Sequence, residues 1–255
     1  MDSKKDKLFL FLATFFVANA LIAEIIGGKL IVLGDAAYSF ILNLGLFDTQ
    51  IGPFILSVGV IPWPVVFLST DLINEYFGKK GVRLITNITV VLIIYVFLII
   101  YLTMIPAAAD GISPVTDSAY QQVLSQSLWI IFGSIIAFLV SQIIDVFVFH
   151  IFRRKTGIKK LWMRATGSTA VSQLIDSVII LGIAFYLPGK ISLSEYLGFA
   201  ITNYSYKLLI AILITPLIYL GHGLIDKYLG KELAVEMTEE AAKSSRSLVK
   251  GEYFD

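Results

Sequence analysis

Residues 161–183, LWMRATGSTAVSQLIDSVIILGI, decide how the rest of the chain is read. The stretch runs from a basic edge through small polar residues to Ser172, Gln173 and Asp176, and then into an apolar run. Its length and hydropathy predict a membrane helix, in which a carboxylate costs about 2.5 to 3.5 kcal/mol on insertion scales. Such a group faces a partner or a cavity rather than lipid, so Asp176 is a candidate site residue.

Outward from that stretch the chain stays apolar: 57% of its 255 residues are hydrophobic and only 15% are charged, with a mean hydropathy of +0.82. A soluble globule has far more polar surface, so the composition predicts an all-α, polytopic membrane protein partnered by the lipid bilayer. A net charge of +1 gives no electrostatic hold on nucleic acid. The chain has no cysteine, and His150 and His222 are far apart, so disulfides, metal centres and other cofactors are not expected. No P-loop, G-x-S-x-G or H-E-x-x-H motif is present, which removes the commonest nucleotide-driven and intramembrane enzyme classes.

Six spans are predicted, at residues 8–26, 53–74, 84–105, 128–152, 166–187 and 196–220. Ala18-Asn19-Ala20 looks like a signal-peptide cleavage site, but the apolar run continues past it. Residues 27–52 are mixed in character and read as an external loop that dips into the bilayer. The second span is interrupted by Pro62-Trp63-Pro64, where missing backbone donors break or kink a helix. Basic residues gather at the amino terminus, around Lys79, Lys80 and Arg83, from Arg153 to Arg164, and in the carboxyl tail, whereas the other three loops hold only Lys29 and Lys190. The positive-inside rule then places both termini in the cytoplasm. The expected organisation is a tail over residues 1–7, a six-helix transmembrane domain over 8–221, and a cytoplasmic helix and tail over 222–255.

Ser141-Gln142-Ile143-Ile144-Asp145 in the fourth span nearly repeats Ser172-Gln173-Leu174-Ile175-Asp176 in the fifth, on helices that run in opposite directions. Counted from the basic loop between them, Gln142 and Asp176 lie roughly 15 Å deep, and Asp145 and Gln173 roughly 10 Å deep. A polar cluster with such pseudo-two-fold symmetry suits a transporter site built from an inverted repeat. In the sixth span Asn203 and Lys207 share a face, and an ammonium halfway across needs a counter-charge. Asp71 and Glu75 share a face at the inner end of the second span; with Lys79 and Arg83 they also read as an interfacial ion ladder. For Asp145, Asp176 and Lys207 the plainer alternative is a structural salt bridge. Glu24 could take a proton or gate entry, or simply reach the interface. Trp63, Trp129 and Trp162 read as an interfacial belt, while Tyr204 or Tyr206 could stack on a flat substrate.

Four motifs, PVVFLSTDLINEYFG, SQIIDVFVF, GSTAVSQLIDS and NYSYKLLI, in this order and at these spacings, resemble the queuosine precursor transporter family, also called vitamin uptake transporters. The similarity runs over residues 18–227. The resemblance implies six membrane helices and uptake of the 7-deazaguanine precursors of queuosine: preQ0, preQ1 or queuine. The family pattern falls on Thr70, Asp71, Gln142, Asp145, Ser168, Thr169, Asp176 and Lys207, and Gln173 fits it. The tail past Lys231 has no counterpart.

The chemistry agrees with that implication. A 7-deazaguanine presents a ring N–H and an exocyclic amine that one carboxylate accepts together, beside a carbonyl that wants a donor. Asp176 with Gln173 is expected on that edge and Asp145 with Gln142 beside it. Lys207 is expected on the carbonyl or paired to an aspartate, and Asp145 or Asp71 is the counter-charge for the aminomethyl arm of preQ1. Asp71 and Asn203 complete the expected substrate-binding set, with Glu24, Thr70, Glu75, Ser168, Thr169, Ser172 and Tyr204 as secondary or gating positions. The expected function is import across the inner (plasma) membrane by alternating access, either facilitated or proton-coupled. Two other readings stay open: the substrate-binding membrane subunit of an ATPase-driven vitamin importer, and a scaffold that transports nothing. Small residues on the spans would permit a homodimer.

Overall fold

A computed structural model of the chain describes residues 3–32, 55–156 and 160–247. Most of the loop expected over 27–52, the start of the second span and the end of the tail lie outside the described residues. Helix α1, Lys4–Ile26, is capped by the Ser3 side chain, which accepts from the Asp6 amide at 3.2 Å. Two short strands follow, β1, Leu30–Val32, and β2, Ile55–Ser57, paired antiparallel with Ile31 opposite Leu56. A 3₁₀ turn at Val58–Val60 leads into α2, Trp63–Tyr76. Next come α3, Gly78–Thr103, a short amphipathic α4, Asp117–Leu124, and α5, Leu128–Thr156. Helix α6, Leu161–Leu181, widens into a π-helical turn at Gly182–Tyr186. Helix α7, Leu193–Leu229, begins with a Ser192–Glu195 capping box, and α8, Lys231–Ser247, packs against the other helices near the amino-terminal end.

Among the described residues five helical stretches are long and apolar enough to cross a membrane: Lys4–Ile26, Gly78–Thr103, Asp117–Thr156, Leu161–Tyr186 and Leu193–Leu229. Their outward faces carry exposed apolar side chains, such as Leu84, Ile88, Val91 and Leu98 on α3, and Leu213, Leu217 and Leu220 on α7. A water-facing surface would not hold such a band, whereas lipid suits it. The protein is a multi-pass membrane protein.

The expected second span differs. Its helix has 14 residues, about 21 Å, against a hydrocarbon core of about 30 Å. The helix starts at Trp63 because Pro62 and Pro64 cannot donate backbone hydrogen bonds, and a proline costs nothing in a first helical turn. Ahead of it the chain is a strand of three residues and a 3₁₀ turn, a local departure within an all-helical fold. Gly78, at φ +63°, makes the tight turn from α2 into α3, a backbone conformation that side-chain-bearing residues rarely adopt.

Helix ends at one face run past the expected spans: α7 continues to Leu229 and α1 starts at Lys4. At one end of the molecule Lys5 pairs with Glu236 at 3.0 Å, Lys4 donates to the Tyr228 carbonyl at 2.9 Å, and Arg153 donates to the Thr238 carbonyl at 2.6 Å. The amino-terminal end of α1, the carboxyl ends of α5 and α7, and α8 therefore converge on one face.

Candidate functional site

The site is built where broken backbone meets the ends of long helices. The last carbonyls of α1 lack the i+4 amide partners that carbonyls in a helix interior have. The Gln126 amide donates to the carbonyls of Glu24, at 2.6 Å, and Ile25, at 3.1 Å, while the Ser57 hydroxyl donates to that of Gly27 at 2.7 Å. These bonds tie α1 to the start of α5 and to the hairpin. Gly59 crosses α1 closely: a Cβ there would lie 2.7 Å from the Ala23 carbonyl oxygen.

Between these pieces, the carboxyl half of α6 and the amino half of α7 lies a cavity of about 390 Å³, toward the lower end of the roughly 300–1,000 Å³ usual for small-molecule sites. Trp63, Phe185 and Phe199 supply aromatic wall, and Glu24, Ser134, Asp176, Asn203 and Lys207 supply polar groups. Gly28, Leu30 and Lys190 are exposed at its rim, at the end of the molecule opposite α8. Lys207 forms an ion pair with Asp176. The Ser134 hydroxyl donates to the Glu24 carboxylate at 2.7 Å, and Asn203 donates to the Phe199 carbonyl at 2.9 Å.

A second polar group lies deeper, toward the face that carries α8. Helices α5 and α6 pack antiparallel: a Cβ on Gly133 would lie 3.2 Å from Ile183, and one on Gly167 would lie 2.8 Å from Phe152. The Ser172 hydroxyl donates to Asp145 at 3.2 Å. Within about a residue, this register sets Gln142 level with Asp176 and Asp145 level with Gln173, as their depths in the sequence predict. The side chains, however, choose other partners. Asp145 faces the hydroxyls of Ser168, Thr169 and Ser172, whereas Asp176 turns to Lys207. Gln142 Nε2, Asp145 Oδ2, Asp71 Oδ1 and both amide atoms of Asn74 are buried without hydrogen-bond partners. Asp71 and Asp145 lie close enough for their charges to repel.

The expected set thus splits. Glu24, Asp176, Asn203 and Lys207 line the cavity. Asp71, Gln142, Asp145 and Gln173, with Thr70, Ser168, Thr169 and Ser172, are buried deeper and do not line it. Tyr204 is half-buried and also lies outside the lining, as does Tyr206, which packs on Leu56 and Val60.

Glu75 has a different role from an ion ladder with Lys79 and Arg83. It receives Arg164 in a two-pronged bond, Nη2 to Oε1 at 2.7 Å and Nε to Oε2 at 3.0 Å, with Arg153 at 3.7 Å. Arg153 also donates to the carbonyls of Asn74 and Glu75 at 3.2 Å. Arg164 and Glu75 are each 1% exposed, so Arg153 and Arg164 are more than the markers of topology that sequence reading made of them. Ser134, Gln126 and Trp63 were also missed as lining residues, because each belongs to a class that membrane helices carry routinely. The one available signal was the position of Trp63 between two prolines at a helix start.

Residues 57–221 match the family model described as "Putative vitamin uptake transporter". The chain belongs to this family. It is a family of transporters, not of enzymes, in line with the missing catalytic motifs. A protein of Bacillus subtilis (strain 168) named "Probable queuosine precursor transporter" is 29% identical over 174 residues, covering 66% of this chain and 72% of that protein. One of Haemophilus influenzae with the same name is 26% identical, covering 71% and 73%. The "Queuosine precursor transporter" of Escherichia coli (strain K12) is 27% identical over 203 residues, covering 73% and 80%. No solved structure matches the chain.

Proposed function

We propose that this member of the family imports 7-deazaguanine precursors of queuosine across the inner membrane by alternating access, with both termini in the cytoplasm. The observation that carries the reading is the Asp176–Lys207 pair on the wall of a cavity with aromatic sides. A guanine-like edge has two adjacent donors for the Asp176 carboxylate and, beside them, a carbonyl acceptor for the Lys207 ammonium. Such a base inserts into the pair and leaves each charge with a partner, which keeps the desolvation cost of both low. Asn203 offers a further amide, and Trp63 and Phe199 offer faces for stacking. The names of the three relatives support the choice of substrate.

The cavity is the outward half of the path in this reading. Asp71, Gln142, Asp145 and Gln173 form the inward half, and the unpartnered atoms of Asp71, Gln142 and Asp145 meet the base when the inner end opens. The Glu75–Arg164–Arg153 network closes that end. The second span is the composite of hairpin, 3₁₀ turn and α2, and it completes the even number of crossings that converging termini require.

The test is uptake of labelled preQ0, preQ1 and queuine by cells unable to make queuosine that express this chain. Asp176→Asn is expected to abolish uptake while the protein stays inserted at wild-type level. Normal uptake by that variant removes Asp176 from the site, and no uptake of any of the three by the wild type sinks the substrate.

A further inference from the structure

Among the described residues set back from the rim, the cavity holds two carboxylates, Glu24 and Asp176, against one ammonium, Lys207. Lys207 is paired with Asp176. Glu24 forms no ion pair with any described Lys, Arg or His. The residue is 9% exposed, and among the described residues its carboxylate takes one hydrogen bond, from Ser134. The nearby Gln126 amide is engaged by the carbonyls of Glu24 and Ile25 and does not serve the carboxylate. Lys190 stands at the exposed rim, with its ammonium 5.9 Å from the centre of the Phe185 ring. A carboxylate so withdrawn from water is costly without a positive partner, and here its open side is the cavity.

We propose that Glu24 is a cation subsite: it holds a protonated amine arm on a planar base whose edge sits on Asp176 and Lys207. The inference rests on the function proposed above and adds its selectivity. A monocationic ligand balances two carboxylates against two positive charges. A neutral analogue of the same ring leaves Glu24 without a counter-charge and is disfavoured for that reason. The sequence suggests Asp145 or Asp71 for this role, but neither lines the cavity.

The experiment is competitive uptake of preQ1, which carries an aminomethyl group, against preQ0, which carries a neutral nitrile, by the wild type and by Glu24→Gln. The wild type is expected to favour preQ1, and the uptake ratio is expected to fall about 10- to 100-fold in the variant, as for loss of a charge-assisted hydrogen bond. A ratio that does not change, including equal loss of both substrates from an inserted protein, overturns the proposal, as does a wild type that favours preQ0. A second arm measures thermal stabilisation of the purified protein in nanodiscs by benzylamine and by benzyl alcohol. Stabilisation by the amine alone, lost in Glu24→Gln, supports the subsite, and equal responses overturn it. If the wild type imports none of the deazaguanines yet shows the amine-specific response, the choice of base falls and the cation subsite stands.

Discussion

Buried charge has two different fates in this protein, and single residues distinguish them. Glu75 is enclosed by two guanidinium groups, with Arg164 on both its oxygens. Arg164→Ala leaves that carboxylate buried with only the more distant Arg153, and is expected to lower stability by about 3–5 kcal/mol, read from thermal unfolding in detergent. The double variant Glu75→Gln, Arg164→Met removes that pair and leaves Arg153 held by the carbonyls of Asn74, Glu75 and Thr238, and is expected to cost less than Arg164→Ala. Asp71 is the opposite case: it has an unpartnered oxygen and a repelling neighbour in Asp145. Asp71→Asn is expected to leave the unfolding temperature unchanged or higher, because it removes a buried carboxylate that forms no ion pair among the described residues and lies near two others, Asp145 and Glu75. A fall as large as that of Arg164→Ala would make Asp71 a structural anchor. The residue types at these positions were legible in the sequence; their partners were not. Glu75 with Lys79 and Arg83 at helical spacing is a plausible ladder, and only the folding of α5 and α6 against α2 replaces it with Arg153 and Arg164.

At the scale of elements, the strand pair, the 3₁₀ turn and the start of α2 form one side of the cavity. Pro62 and Pro64 announce the break, but they do not say what precedes it. The pairing of Leu30–Val32 with Ile55–Ser57 joins segments far apart in the chain, and no local pattern in short, Gly-rich stretches fixes such a pairing. Gly59→Val would force the hairpin off α1, since even a Cβ there would lie 2.7 Å from a backbone oxygen that cannot turn aside. That variant is expected to lose most uptake and to unfold at a lower temperature, and near-normal uptake would show that the hairpin does not shape the cavity. The α5–α6 pair is the reverse case, because its register could be read from depth alone. Two helices joined by a short basic loop must run antiparallel, so counting residues from the loop gives the level of each side chain. Which way each side chain turns depends on α7, whose Lys207 draws Asp176 away from Gln142.

For the whole molecule, the native chain has no cysteine, so single introduced thiols report accessibility cleanly. In intact cells a membrane-impermeant maleimide is expected to label Lys190→Cys at the cavity rim but to reach Lys5→Cys only after permeabilisation. Labelling of Lys5→Cys in intact cells would reverse the proposed orientation. Ser168→Cys, buried on α6, is expected to resist labelling until the inner end opens.

Composition, hydropathy and the spacing of basic clusters determined by themselves that this is a multi-pass helical membrane protein, because lipid demands long apolar segments and satisfied backbone wherever the chain crosses. Buried carboxylates, amides and a lysine at matched depth also pointed to a polar interior, since lipid does not tolerate them. Tertiary structure alone decided how that interior divides. Asp176, Lys207 and Glu24 meet in a cavity while Asp71, Gln142 and Asp145 are sealed beneath it. Depth along a helix follows from counting residues, but rotation about its axis and the partner it faces depend on helices distant in sequence.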